Sequence, residues 1–149
     1  MTSRARIKTV AHALLRIGLG GMFIVAGVLK MKDVGAFVTQ IGNYQFLPAW
    51  SAYFGIVIPA IEVVVGAAII LSPKLWRQAA ELILLVMLVA FTVAVSRAWA
   101  LGINIECGCF GTGSTPIGPW VLARNLSLIT ATSVLLLTEL SPLRKRQLA

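Results

Sequence analysis

Four apolar runs, each about 20 residues long, leave this chain little freedom in how it can fold. They cover roughly residues 10–29, 52–71, 79–101 and 119–140. At 1.5 Å per residue, each run as a helix crosses a hydrocarbon core of ~30 Å. Lipid offers no partner for open backbone groups, so spanning segments are helical. The expected fold is therefore all-α, an integral membrane four-helix bundle, with residues 1–149 forming one transmembrane domain. Composition excludes the soluble alternative. The chain is 58% hydrophobic and 12% charged, with a mean hydropathy of +0.91. Soluble domains carry roughly twice that charge fraction, and a short soluble chain has too much surface to hide so many apolar side chains. The first run follows Arg4, Arg6 and Lys8, like the basic start of a signal peptide. Lys30-Met31-Lys32 comes after it with no clear small-x-small cleavage site, so a retained helix is expected.

The formal charge of +8 and pI of about 10.4 would suggest nucleic acid in a soluble protein. Here the basic residues lie at the ends of the apolar runs, with no basic patch interleaved with aromatics, so no nucleic-acid partner is expected. Arg4/Arg6/Lys8, Lys74/Arg77 and Arg144/Lys145/Arg146 fall on one side of a four-span layout. Lys30, Lys32, Asp33 and Glu106 fall on the other. This asymmetry predicts both termini in the cytoplasm and the connection between spans three and four facing outward. Tyr44, Trp50, Tyr53, Trp99 and Trp120 are expected in an outer interfacial belt, with Trp76 on the inner side. Between spans one and two, Val34, Phe37, Val38 and Ile41 recur at helical spacing, which predicts a short amphipathic helix at the interface, ended by Gly42-Asn43.

The outward connection holds the only two cysteines, in Glu106-Cys107-Gly108-Cys109-Phe110-Gly111. Thiols one residue apart can close a small strained ring, and strain makes a disulfide easier to reduce. Gly108 gives the backbone the freedom that closure needs. Three readings stand: a redox-active pair, a structural pair pinning the loop, or a metal shared with another protein. Two sulfurs are too few for a closed zinc site. The single histidine, His12, falls near the opposite membrane side, so no metal site is expected within the chain. Arg97 and Arg124 flank the loop, and either would lower a thiolate pKa if it faced the cysteines. Glu106 would act in the opposite sense.

Two charges lie inside the spans. Arg16 sits about a third of the way into the first and Glu62 near the middle of the second, at roughly matching depth, so a buried Arg16–Glu62 pair is expected. A proton relay or quinone contact is the functional alternative for Glu62. Pro59, three residues before it, removes a backbone donor in span two. Glu81 and Glu139 lie close to the inner face, where they would snorkel or pair with basic neighbours. Gly18, Gly20, Gly21 and Gly27 in span one, with Gly55 and Gly66 in span two, predict close helix contacts.

Residues 102–111 (Gly102-Ile103-Asn104-Ile105-Glu106-Cys107-Gly108-Cys109-Phe110-Gly111) resemble the MauE branch of the DoxX-like membrane proteins. So do Arg16, Gly20, Phe23, Gly27 and Lys30, then Tyr44, Leu47, Pro48, Pro59, Glu62 and Gly66, and finally Arg124-Asn125. The resemblance implies a multi-pass four-helix bundle in a bacterial inner membrane, associated with methylamine dehydrogenase maturation. It also implies a thioredoxin-like partner and disulfide formation in a periplasmic subunit. On that basis Cys107 and Cys109 would be the exchange pair, with Arg16 and Glu62 as structural or relay residues in the bundle. Membrane thiol oxidases of the DsbB and vitamin K epoxide reductase type use two cysteine pairs, whereas this chain has one. It would either bring a quinone directly to Cys107/Cys109 or pass electrons between partners. The expected function is thus thiol–disulfide exchange in the maturation of an exported client. The alternative is a non-catalytic assembly subunit of a larger membrane complex. Transport has little support, because no pair of broken spans is visible.

Overall fold

The computed structural model describes residues 3–45, 48–103, 105, 107 and 116–147. Among them are five α-helices: α1 (Ser3–Lys32), α2 (Val34–Asn43), α3 (Ser51–Leu71), α4 (Lys74–Ala100) and α5 (Pro119–Gln147), with a 3-10 turn at Pro48–Trp50 before α3. Four of them, α1, α3, α4 and α5, contain segments long and apolar enough to cross a membrane: Thr9–Lys32, Ser51–Leu71, Lys74–Ala100 and Pro119–Leu140. The chain is a multi-pass membrane protein. The third span starts five residues before the expected residue 79. The helix begins directly after Pro73, and its first turns carry Lys74 and Arg77, which hydropathy alone discounts.

α2 forms where the spacing of Val34, Phe37, Val38 and Ile41 predicts it. Its N-cap is Asp33, whose Oδ1 accepts from the Ala36 amide at 2.9 Å and so satisfies one orphan donor of the first turn. Val38 packs into the space left by Gly55 of α3.

α1 packs most extensively on α3. A Cβ on Gly20 would lie 2.6 Å from the Gly66 carbonyl oxygen, and a Cβ on Gly66 would lie 2.6 Å from that of Gly20. Two turns further along, a Cβ on Gly27 would lie 2.7 Å from the Pro59 oxygen. These contacts set an antiparallel register in which residue 20 faces 66 and residue 27 faces the stretch 59–63. Among the described residues, a Cβ on Gly18 or Gly21 would meet nothing, and neither takes part in this contact. The side chains between α1, α3 and α4, among them Phe23, Val65, Ile69, Leu84 and Leu88, form the main apolar core.

The register corrects one expectation. Arg16 does not pair with Glu62. Its guanidinium donates to the carbonyls of Ile69 (3.0 and 3.2 Å) and Ile70 (3.1 Å) at the end of α3. With residue 20 opposite 66, Arg16 lies opposite 69–70, roughly 12 Å along the axis from the level of Glu62. Side chains lean toward their own helix N-terminus, so in antiparallel helices these two point apart. The Ile69 carbonyl needs such a donor because its i+4 residue is Pro73, which has no N–H. Arg16→Leu should lower stability by about 2 kcal/mol, the scale of a charge-assisted bond to a buried acceptor, measured by unfolding in mixed micelles.

At the same end of the bundle, Arg77 Nε binds both Glu139 oxygens at 2.8 and 3.1 Å, joining α4 to α5. Glu81 neither snorkels nor pairs. It is fully buried, and neither carboxyl oxygen has a hydrogen-bond partner among the described residues. It faces inward one turn after Arg77, too deep for the interface. His12 approaches Thr138 (3.1 Å) at this end, with Glu139 at 4.0 Å.

Candidate functional site

The far end of the bundle is organised by how α4 stops. Gly102 adopts φ +69°, a left-handed conformation that favours glycine. Its amide bonds the Trp99 carbonyl and that of Ile103 bonds Ala98, both at 3.0 Å, the paired bonds of a Schellman ending. The chain turns back over the helix ends, and the Ile117 amide donates to the Ile105 carbonyl at 3.0 Å. Cys107 is thereby held inward, 3% exposed, among Tyr44, Val95, Ala98 and Val121.

Cys107 is disulfide-bonded. Cys109 and Glu106 lie outside the described residues. The two flanking arginines are not equivalent. Arg124 Nη2 lies 3.4 Å from Cys107 Sγ, whereas Arg97 is exposed. Tyr44 departs from the expected interfacial belt. It is buried, and its hydroxyl donates to the Cys107 carbonyl at 2.9 Å, tying the end of α2 to the cysteine segment. Trp50, Tyr53, Trp99 and Trp120 do stand on the surface at this end. Burial pushes the Tyr44 hydroxyl up to about 12, against the opposing pull of the Arg124 charge. The folded protein therefore keeps this proton more tightly than the unfolded chain, whose ordinary value is 10.0. The associated stability is complete below pH 10 and is lost as the pH rises toward 12. Unfolding measured across that window should show the loss in the natural protein and a flatter profile in Tyr44→Phe.

Beneath Cys107 lies a cavity of about 330 Å³ bounded by all five helices. Its wall is mostly apolar, with Met22, Phe23, Phe54, Ile58 and Phe91 among the lining side chains. Its polar rim is specific: Lys30, Glu62, Gln40, Tyr44, Arg124, Asn125 and Cys107. Lys30 Nζ binds Glu62 Oε1 at 2.5 Å, with both side chains buried. Lys30 leans back along α1 toward the level of residue 27, and Glu62 leans back along α3 toward 59. Those levels face each other, so Lys30 rather than Arg16 is the partner of Glu62. The Lys30 ammonium also lies 5.3 Å from the Phe37 ring centroid on α2, within cation–π range.

Glu62 and Arg124, singled out in the sequence as supporting residues, thus converge with Cys107 on one cavity, whereas Arg16 and Arg97 lie elsewhere. The pairing of Lys30, and the places of Gln40 and Asn125 in the site, were missed. Lys30 reads as an interfacial charge closing span one. A usable signal was Gln40 itself, a polar residue three positions from Phe37 beside the apolar face of α2.

The methylamine utilisation protein MauE family matches residues 8–138. A relative named methylamine utilization protein MauE, from Paracoccus denitrificans, is 30% identical over 129 residues, covering 85% of this chain and 68% of the relative. No solved structure matches. Many residues that carried the resemblance lie in the features just described: Gly20, Gly27, Pro59 and Gly66 at the α1–α3 contact, and Phe23, Lys30, Tyr44, Glu62, Cys107, Arg124 and Asn125 around the cavity. The chain belongs to the MauE family of membrane proteins.

Proposed function

We propose that this protein carries out thiol–disulfide exchange through Cys107 and Cys109 and assists disulfide formation in exported proteins. The observation that carries this reading is the setting of Cys107: a disulfide-bonded, buried sulfur with an arginine Nη2 at 3.4 Å. A guanidinium beside a sulfur favours its thiolate and makes it a good leaving group. A client thiolate attacks the sulfur of Cys109, the Cys107–Cys109 bond breaks, and Cys107 leaves as the thiolate beside Arg124. A second client thiolate then attacks the mixed disulfide, releasing an oxidised client and the Cys109 thiolate. In this reading the protein lies in a bacterial inner membrane with both termini cytoplasmic and the cysteine connection outward. The basic residues at Arg4/Arg6/Lys8, Lys74/Arg77 and Arg144/Lys145/Arg146 support that orientation. An oxidising outer compartment also allows the bond to persist. A thioredoxin-like protein or the exported client itself is the exchange partner.

The test is thiol trapping on intact cells with a membrane-impermeant reagent, before and after mild reduction, with Cys107→Ser and Cys109→Ser assayed separately. The expected result is a reversible, externally reachable pair, with a mixed disulfide to a partner accumulating in Cys107→Ser. Arg124→Gln should slow exchange about tenfold by making Cys107 a poorer leaving group. Normal client oxidation in the double Cys→Ser variant would overturn the proposal in favour of an assembly subunit of a larger membrane complex.

A further inference from the structure

The cavity beneath Cys107 holds more polar capacity than the protein itself uses. Glu62, Gln40 and Asn125 line it, and Glu62 Oε2, Gln40 Oε1 and Asn125 Nδ2 are buried and make no hydrogen bond among the described residues. Buried polar atoms are normally satisfied, and each one left open is costly. Two acceptors and a donor around an otherwise apolar chamber describe a particular ligand. It is flat or slender enough for about 330 Å³, apolar over most of its surface, and able both to accept and to donate hydrogen bonds at its edge. Phe54 and Ile58 of α3 and Met87 and Ala90 of α4 line the chamber where these two helices meet and are themselves partly or fully exposed. The α3–α4 face is therefore a route from the hydrocarbon phase, and the ligand is membrane-soluble.

We infer that this cavity binds a quinone, and that the quinone reoxidises the cysteine pair from inside the membrane. The inference rests on the thiol–disulfide reading above. A quinone meets each requirement: an apolar ring and tail, carbonyls that accept from Asn125, and hydroxyls that, once formed, donate to Glu62 and Gln40. Cys107 lines the same chamber. After client oxidation, the two cysteine thiolates take up the two protons that the client thiols released, and the resulting thiols lose two electrons and two protons. Two S–H bonds break and the S–S bond forms. The quinone takes up both electrons and both protons, its two carbonyl oxygens becoming hydroxyls, and leaves as the quinol. A single cysteine pair then suffices, because the side of the pair held by Cys107 faces the oxidant while exchange with clients begins at Cys109.

The test uses the full chain, reduced with dithiothreitol, freed of reductant and mixed anaerobically with decyl-ubiquinone. Quinol formation is followed by ultraviolet absorbance and free thiols by alkylation and mass measurement. The expected result is one quinol formed for each pair of thiols lost. Ala94→Phe, which fills the chamber from α4, and Asn125→Leu, which removes the donor, should each slow quinone reduction about tenfold or more. Val64→Phe, on the outer face of α3, should not change it. Exchange with glutathione is measured on the same samples to show that each variant is folded. Exchange with glutathione but no quinol from the natural protein would overturn this inference and leave the exchange reading standing. Equal quinone reduction in folded Ala94→Phe and Asn125→Leu would overturn the site. A pair that exchanges with neither glutathione nor quinone would overturn both.

Discussion

Glu62→Ala should cost about 3–5 kcal/mol of stability, the effect of stranding one member of a buried ion pair. Lys30 is 4% exposed and Glu62 6%, so neither charge reaches bulk water. Without Glu62, the ammonium keeps, among the described residues, the Phe37 ring as its favourable neighbour. The reciprocal Lys30→Met should cost a similar amount. The double variant Lys30→Met/Glu62→Leu should recover most of the loss, because replacing both charges with apolar groups of similar size removes the desolvation cost along with the attraction. A double-mutant cycle on unfolding in mixed micelles checks both statements. A coupling near zero would show that the two side chains are stabilised independently. If the quinone inference holds, the double variant also loses the Glu62 acceptor and should be folded yet slow in quinone reduction.

The second large effect is expected where α1 and α3 touch backbone to backbone. Gly66→Leu places a side chain where a Cβ alone would already sit 2.6 Å from the Gly20 oxygen and 2.9 Å from Ile24. Overpacking typically costs about 1–3 kcal/mol. Here the obstacle is backbone, which cannot change rotamer, so a loss of about 3 kcal/mol is expected. The same change at Gly21, which meets nothing, should be nearly neutral. Unfolding of the two variants side by side decides the matter: equal stability would mean that the helices are not held in this register. Separating α1 from α3 would also displace Arg16 from the Ile69 and Ile70 carbonyls and Lys30 from Glu62, so the Gly66 variant should lose both interactions together.

The spans were legible from residue order because hydropathy over about 20 residues is a local property, and lipid imposes helix on any segment that meets it. α2 was legible for a similar reason, since Val34, Phe37, Val38 and Ile41 share a face wherever that helix lies. The cysteine pair was legible as a candidate site, because these are the only two cysteines in the chain and they stand one residue apart. Which charges meet was not legible. Arg16 and Glu62 look matched by depth along their spans, yet the contact of Gly20 with Gly66 sets a register that sends Arg16 to the end of α3 and gives Glu62 to Lys30. Choosing between Arg97 and Arg124 likewise required knowing which face of α4 and of α5 turns toward Cys107. The cavity, assembled from five helices distant in the chain, exists only after packing. Sequence thus determined the elements and the place of the two cysteines, because those follow from short-range composition and spacing. Tertiary structure alone decided the partners of each buried polar group, because partnership depends on interhelical register, and a few glycines set that register by letting two backbones touch.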